Sequence, residues 1–378
     1  MKTPISPTLA MNINDTIGKA LAQAGLDTRS GPLQGVTQTI RKALAAAGLG
    51  GEASPAAGAS DVIEVAARDL SARPAAGDAG QFTRRTLNHP AGVRDYKLYQ
   101  PAAGAGMPTG PRPLVVMLHG CTQSADDFAA GTQMNRLADQ HGFLVLYPEQ
   151  STSANASRCW NWFRPQDQLR EGGEPALIAA MVREVMVESA ATQPVDAKRV
   201  FVAGLSAGAA MAVILGETWP DLFAAVGAHS GLPFAAAHDI PSALAAMKGR
   251  GVMGQAHFPG TADDPRRKTT HAVPTIVFHG DRDHTVQHSN GEHIVDRARH
   301  AVAALGASSE SGSAAGGRRY TRTVHADAAG RVIVEQWTVH GAGHAWSGGD
   351  ATGSFTDNAG PDASAEMLRF FLAQSPRA

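Results

Sequence analysis

Gly204-Leu205-Ser206-Ala207-Gly208 places a serine between two glycines, at the end of the apolar run Val200–Ala203 and just before small residues at helical spacing. A serine in so tight a strand-to-helix turn has a strained backbone and a hydroxyl directed outward for attack, and small flanking residues let the turn close. Glycine is abundant, 41 of 378 residues, so the pentapeptide carries little weight until the other strand ends are read. His119-Gly120-Cys121 follows the apolar run Leu114–Leu118. The backbone amides of Cys121 and Ala207 are expected to form an oxyanion hole there. His279-Gly280-Asp281-Arg282-Asp283 follows Thr275–Phe278 and offers two acids, of which Asp283, further into the loop, is the expected partner of a histidine. The other, Asp281, belongs to the turn. Gly341-Ala342-Gly343-His344 follows Val332–Val339, and its glycines leave His344 room to project toward Ser206. Serine, acid and histidine in that chain order supply a nucleophile, an orienting carboxylate and a general base.

These ends require a frame that brings them together. Strand-like runs at Leu114–Leu118, Phe143–Tyr147, Val200–Ala203, Ala224–Ala228, Thr275–Phe278 and Val332–Val339 alternate with helix-length segments. That alternation predicts an α/β fold with a mostly parallel central sheet and helices on both faces. In such a sheet the functional groups gather at the carboxyl ends of the strands. Thr83–Asn88 and Val93–Gln100 are expected to open the domain as a hairpin, and Ala363–Leu372 to close it as a helix. Residues 232–271, longer than a simple connection and carrying Arg266-Arg267-Lys268, are expected to contribute a cap over the site.

The motifs LHGCTQSADDF, CWNWF, GLSAGAAMA and GHAWSGG occur in that order. From residue 81 to the end the chain resembles the catalytic domains of short-chain polyhydroxyalkanoate (PHB) depolymerases and the related feruloyl and acetylxylan esterases. The resemblance implies an α/β-hydrolase fold, with Ser206, Asp283 and His344 in the catalytic roles and the Cys121 loop in the oxyanion role. It implies hydrolysis of short-chain hydroxyalkanoate esters, poly(3-hydroxybutyrate) or its oligomers, through an acyl-enzyme. Feruloyl or acetylxylan ester hydrolysis is the alternative within the same chemistry, and a granule-surface binding protein is the alternative from another class. Trp160, Trp162 and Trp346 are placed to wall a pocket for a short acyl chain, with ordinary core packing as the competing reading. Cys121 and Cys159 can pair, fixing the aromatic loop to the oxyanion loop, or remain free thiols, the default in a reducing cytoplasm.

Residues 1–80 read as a separate region before a catalytic domain at 81–378. Thr16-Ile17-Gly18-Lys19-Ala20-Leu21 recurs as Thr39-Ile40-Arg41-Lys42-Ala43-Leu44, with apolar stripes Ile13, Ile17, Leu21 and Val36, Ile40, Leu44 and a terminating glycine at Gly25 and Gly48. Two short amphipathic helices follow, too narrow in stripe to fold alone. They are expected to pack on the main body or on a second subunit, as in a homodimer, or to touch a polymer granule surface. Residues 50–80 read as an Ala/Gly/Ser/Pro-rich linker. A net charge of -1, from 33 basic and 34 acidic side chains, excludes an electrostatic footprint for nucleic acid. No apolar run reaches the roughly 20 residues of a membrane span. No metal and no organic cofactor is expected, since neither H-E-x-x-H nor a glycine-rich nucleotide loop occurs. Secreted depolymerases carry a signal peptide, and many a polymer-binding domain. Neither pattern is read here, so cytoplasmic localisation is expected, with secretion as the alternative.

Overall fold

The computed structural model describes residues 80–102, 110–250, 273–302 and 304–374. The paired amphipathic helices and linker expected before residue 80 lie outside the described residues, as does 251–272 of the expected cap.

The chain opens with the hairpin β1 (Gln81–His89) and β2 (Gly92–Gln100), paired antiparallel in full register. There follow β3 (Arg112–Leu118), helices α1 (Ala125–Thr132) and α2 (Met134–His141), and β4 (Leu144–Pro148). Helix α3 (Gly173–Ser189) leads into β5 (Val195–Leu205), α4 (Ala207–Thr218), β6 (Ala225–His229) and α5 (Ile240–Met247). The last part holds β7 (Thr275–Gly280), α6 (Ser289–His300), β8 (Gly306–Ser313), β9 (Arg319–Ala326), β10 (Val332–Val339) and α7 (Ala363–Leu372). The ten strands form one sheet in the order β1-β2-β4-β3-β5-β6-β7-β10-β9-β8. From β4 to β10 neighbouring strands run parallel, and antiparallel pairs finish both edges. A two-stranded parallel bridge, β11 (Trp346–Ser347) with β12 (Thr356–Asp357), lies apart from that sheet.

Both faces of the parallel strands are buried, which is why these strands read as unbroken apolar runs instead of alternating ones. Leu114, Val116, Leu118, Val200 and Val202 point to the core shared with α3, α4 and α6. Their neighbours Val115, Met117, Phe201 and Ala203 point to the opposite core, with α1, α2 and α7. Alternation therefore distributes one apolar strand between two layers. Helix α4 is small and apolar all round, as a helix enclosed on every side must be. The edge pair β8–β9 has no counterpart among the expected strands. GASSESGS lacks β-branched and aromatic residues, and it is held by backbone pairing to β9 at a solvent-exposed edge.

Candidate active site

Ser206 lies between β5 and α4 with φ 58° and ψ -118°, a strained conformation for a residue with a side chain. The flanking glycines are sterically required. A Cβ on Gly204 would meet the Gly208 carbonyl carbon at 2.4 Å, and one on Gly208 would meet the Leu118 oxygen at 2.1 Å. That approach sets the start of α4 against the exit of β3. The Ser206 amide donates to the His229 carbonyl at 2.9 Å, which ties the turn to the end of β6.

Past β7, Asp283 is buried and its Oδ2 lies 2.7 Å from Nδ1 of His344, in the loop after β10. Its Oδ1 accepts from the amides of Thr285 and Val286, both at 2.9 Å. Nε2 of His279 lies 3.5 Å from Oδ2 and 2.9 Å from the Val286 carbonyl. Burial alone would raise the Asp283 pKa, but hydrogen bonds from His279, His344 and the Val286 amide prevail and hold it far below the usual carboxylate range. The carboxylate is thus ionised and faces Nδ1 of His344, so the tautomer that donates there leaves Nε2 with a free lone pair. Asp281 has a different partner: Oδ2 lies 2.9 Å from Nδ1 of His340, and Oδ1 accepts from the Gly341 amide at 2.7 Å. Asp281 and His340 join the same two loops nearer their bases.

The loop after β3 is held from several sides. His119 is buried, with Nδ1 2.7 Å from the Gly120 carbonyl and Nε2 accepting from the Gln150 amide at 3.1 Å. Burial lowers its pKa to about 4, so it remains neutral and keeps Nε2 as an acceptor. Gly120 donates to Gln123 Oε1 at 2.9 Å. Cys121 is disulfide-bonded to Cys159, so of the two states open to the thiols the structure has the paired one. Among the described residues, the amides of Cys121 and Ala207 donate no hydrogen bond to the protein, which leaves two donors at facing turns. Beneath this loop, Glu174 accepts from Gln150 and from the side chain and amide of Asn161. Burial and the neighbouring Asp167 push its pKa up to about 7.

The structure brings Asp283 to His344 and sets the Cys121 loop against the Ser206 turn. The tryptophans fare differently. Trp160 and Trp346 are each 1% exposed, too little to wall a pocket. Trp160 donates its indole N–H to the His119 carbonyl at 3.1 Å and so supports the loop after β3. Trp346 donates to Ser364 Oγ at 3.0 Å and packs edge-on against Phe128, in the core on the far face of the sheet. Trp162 is also buried, edge-on to Phe163. For these rings packing replaces the expected substrate contact. Two residues escaped sequence reading: Glu174, inside a helix without a motif, and His229, directly after an expected strand. The available signal for His229 was its place at a strand's carboxyl end.

A family model described as esterase PHB depolymerase matches residues 94–324. Over 248 residues the chain is 32% identical to poly(3-hydroxyalkanoate) depolymerase C of Paucimonas lemoignei, covering 64% of this chain and 56% of that protein. Over 227 residues it is 32% identical to acetylxylan esterase A of Aspergillus oryzae, covering 58% of this chain and 69% of that one. The chain spans little more than half the length of the depolymerase it matches. Among solved structures, an acetyl xylan esterase from Aspergillus awamori superposes with a TM-score of 0.57 at 18% identity, over 77% of this chain and 99% of that one. That similarity establishes the α/β-hydrolase architecture. No described helix is long and apolar enough to cross a membrane.

Proposed function

Because the chain belongs to the esterase PHB depolymerase family, we propose that it is a serine esterase that hydrolyses short-chain hydroxyalkanoate esters, poly(3-hydroxybutyrate) or its oligomers. The observation that carries this reading is buried Asp283 2.7 Å from half-buried His344, past the ends of β7 and β10, in the same sheet whose β5 ends on the strained Ser206 turn. Ser206 Oγ attacks the ester carbonyl while Nε2 of His344 takes its proton, and ionised Asp283 stabilises the imidazolium. The amides of Cys121 and Ala207 receive the oxyanion, each contributing about 3–4 kcal/mol in comparable sites. His344 then protonates the departing alkoxide, and water, deprotonated by the same Nε2, releases the acyl group and restores Ser206.

Similarity to the Paucimonas lemoignei depolymerase favours the polyester substrate class. Similarity to acetylxylan esterase A over 69% of its length favours a second reading, in which the acyl group comes from a plant polysaccharide. The Cys121–Cys159 bond supports work in an oxidising compartment, in place of the cytoplasm.

Hydrolysis of 3-hydroxybutyrate oligomers, methyl ferulate and acetylated xylan by the protein and by Ser206→Ala tests this. Oligomer cleavage that disappears in Ser206→Ala is the expected result. Cleavage of only the ferulate or xylan ester moves the protein to the second reading, and oligomer turnover that survives Ser206→Ala sinks the serine mechanism.

A further inference from the structure

Between the strand that delivers Ser206 and the strand that delivers Asp283 lies β6, and it ends on His229. This residue touches both halves of the site. Its carbonyl accepts the Ser206 amide at 2.9 Å, and its Nε2 accepts the Ser347 amide at 3.0 Å. Ser347 lies three positions past His344 and is itself buried. Since Nε2 accepts, the ring proton sits on Nδ1, facing Ser230 Oγ at 3.2 Å. The ring is stacked between Phe278, at 5.8 Å, and Trp346, at 5.2 Å. Burial, then the neighbouring imidazoles His279 and His344, lower its pKa to about 3. It therefore stays neutral, and the acceptor on Nε2 persists wherever the enzyme works.

We propose that His229 is the positioning residue that sets His344 against Ser206, by fixing the Ser347 amide to the strand end that also holds the Ser206 turn. This rests on the serine-esterase reading above. Without the acceptor, the Ser347 N–H would be buried and unsatisfied, and the segment carrying His344 would shift to restore a partner. A shift of that kind misaligns the base with the hydroxyl while leaving the substrate's binding surface largely intact. The expected signature is thus a loss in kcat with little change in KM.

The test is steady-state hydrolysis of p-nitrophenyl butyrate by the full chain and by Ser206→Ala, His229→Phe and His229→Gln. Phenylalanine keeps the stacking but has no acceptor, whereas the glutamine amide oxygen reaches close to the position of Nε2. His229→Phe should lower kcat about 100-fold, the cost of a displacement near 1 Å. KM should stay within about twofold, and His229→Gln should recover kcat to within about fivefold of the unaltered protein. A folded His229→Phe with unaltered kcat, or an equal loss in the phenylalanine and glutamine variants, overturns the inference. If His229→Phe does not fold, His229→Asn replaces it, because its shorter side chain cannot reach Ser347. A kcat below that of His229→Gln then supports the role, and an equal kcat overturns it. Turnover surviving in Ser206→Ala marks failure of the underlying reading, which is distinguishable from failure at His229.

Discussion

Asp283 holds four donors within reach, two backbone amides and two imidazoles, and that crowding separates it from Asp281 two positions earlier. An amide at Asp283 would present an N–H where His344 needs an acceptor and would favour the wrong tautomer. Asp283→Asn is therefore expected to lower kcat by about 10³–10⁴, as the corresponding change does in other serine triads. Asp281 is partly exposed and paired with His340, so Asp281→Asn should cost less than about 1 kcal/mol of stability and leave kcat within several-fold. Measuring kcat for the two asparagine variants side by side decides it, and the reverse ranking would exchange their roles. The placement of Ser206, Asp283 and His344 past the ends of β5, β7 and β10 was legible because each follows an apolar run. Trp160 and Trp346 were not, since residue type does not record whether a ring faces a ligand or a core. The role of His229 was invisible for another reason: its partner Ser347 lies 118 positions away, and only folding reveals the pair.

At the scale of elements, the approach of α4 to the exit of β3 fixes the geometry that single residues exploit. Gly208→Ala would drive a Cβ into the Leu118 carbonyl, and the backbones must separate to admit it. Overpacking of this kind costs about 1–3 kcal/mol, so thermal melts of a domain this large should show Tm lower by about 2–5 °C. Gly343→Ala, with nothing within 4 Å of its added carbon, serves as the control and should melt near the unaltered protein. Equal melting of the two would mean that the turn relaxes freely. The disulfide acts on the same element from the other side. Cys121 and Cys159 are 38 positions apart, and in the chain-entropy account closing such a loop contributes about 4 kcal/mol. Cys159→Ser should lower Tm and kcat together, whereas a lowered Tm with full kcat would separate the cross-link from the oxyanion loop. The parallel strands were readable in the sequence because burial on two faces writes an apolar run. Strands β8 and β9 were not, because an exposed edge pair leaves no such mark.

For the whole molecule, buried imidazoles set the response to acid. His119 and His229 have pKa values lowered from 6.5 to about 4 and about 3, so below pH 6.5 the unfolded chain binds more protons than the native one. Stability must then fall as the pH falls. His288 and His325 are shifted the same way by burial. Glu174, pushed up from 4.5 to about 7, has the opposite sign: its contribution is fully present below pH 4.5 and is lost as pH rises through 7. The histidines outnumber it, so Tm should decline on acidification from pH 6.5 to 4.5, and His229→Gln should reduce that slope. An unchanged slope in the variant would show that His229 does not titrate on unfolding. The order of domains beyond the catalytic unit was read from repeats and linker composition alone, and deletion of residues 1–80 is the direct test of their separateness. The contact between Gly208 and the β3 exit has a consequence on a longer timescale. The Ser206 turn and the loop after β3 can change only together, because a change of shape on either side is selected against until the other side changes too. Descendants of this chain that acquire new substrates should therefore diverge first in the loops past β6 and β12, while the turn around Ser206 and the loop after Leu118 stay as they are.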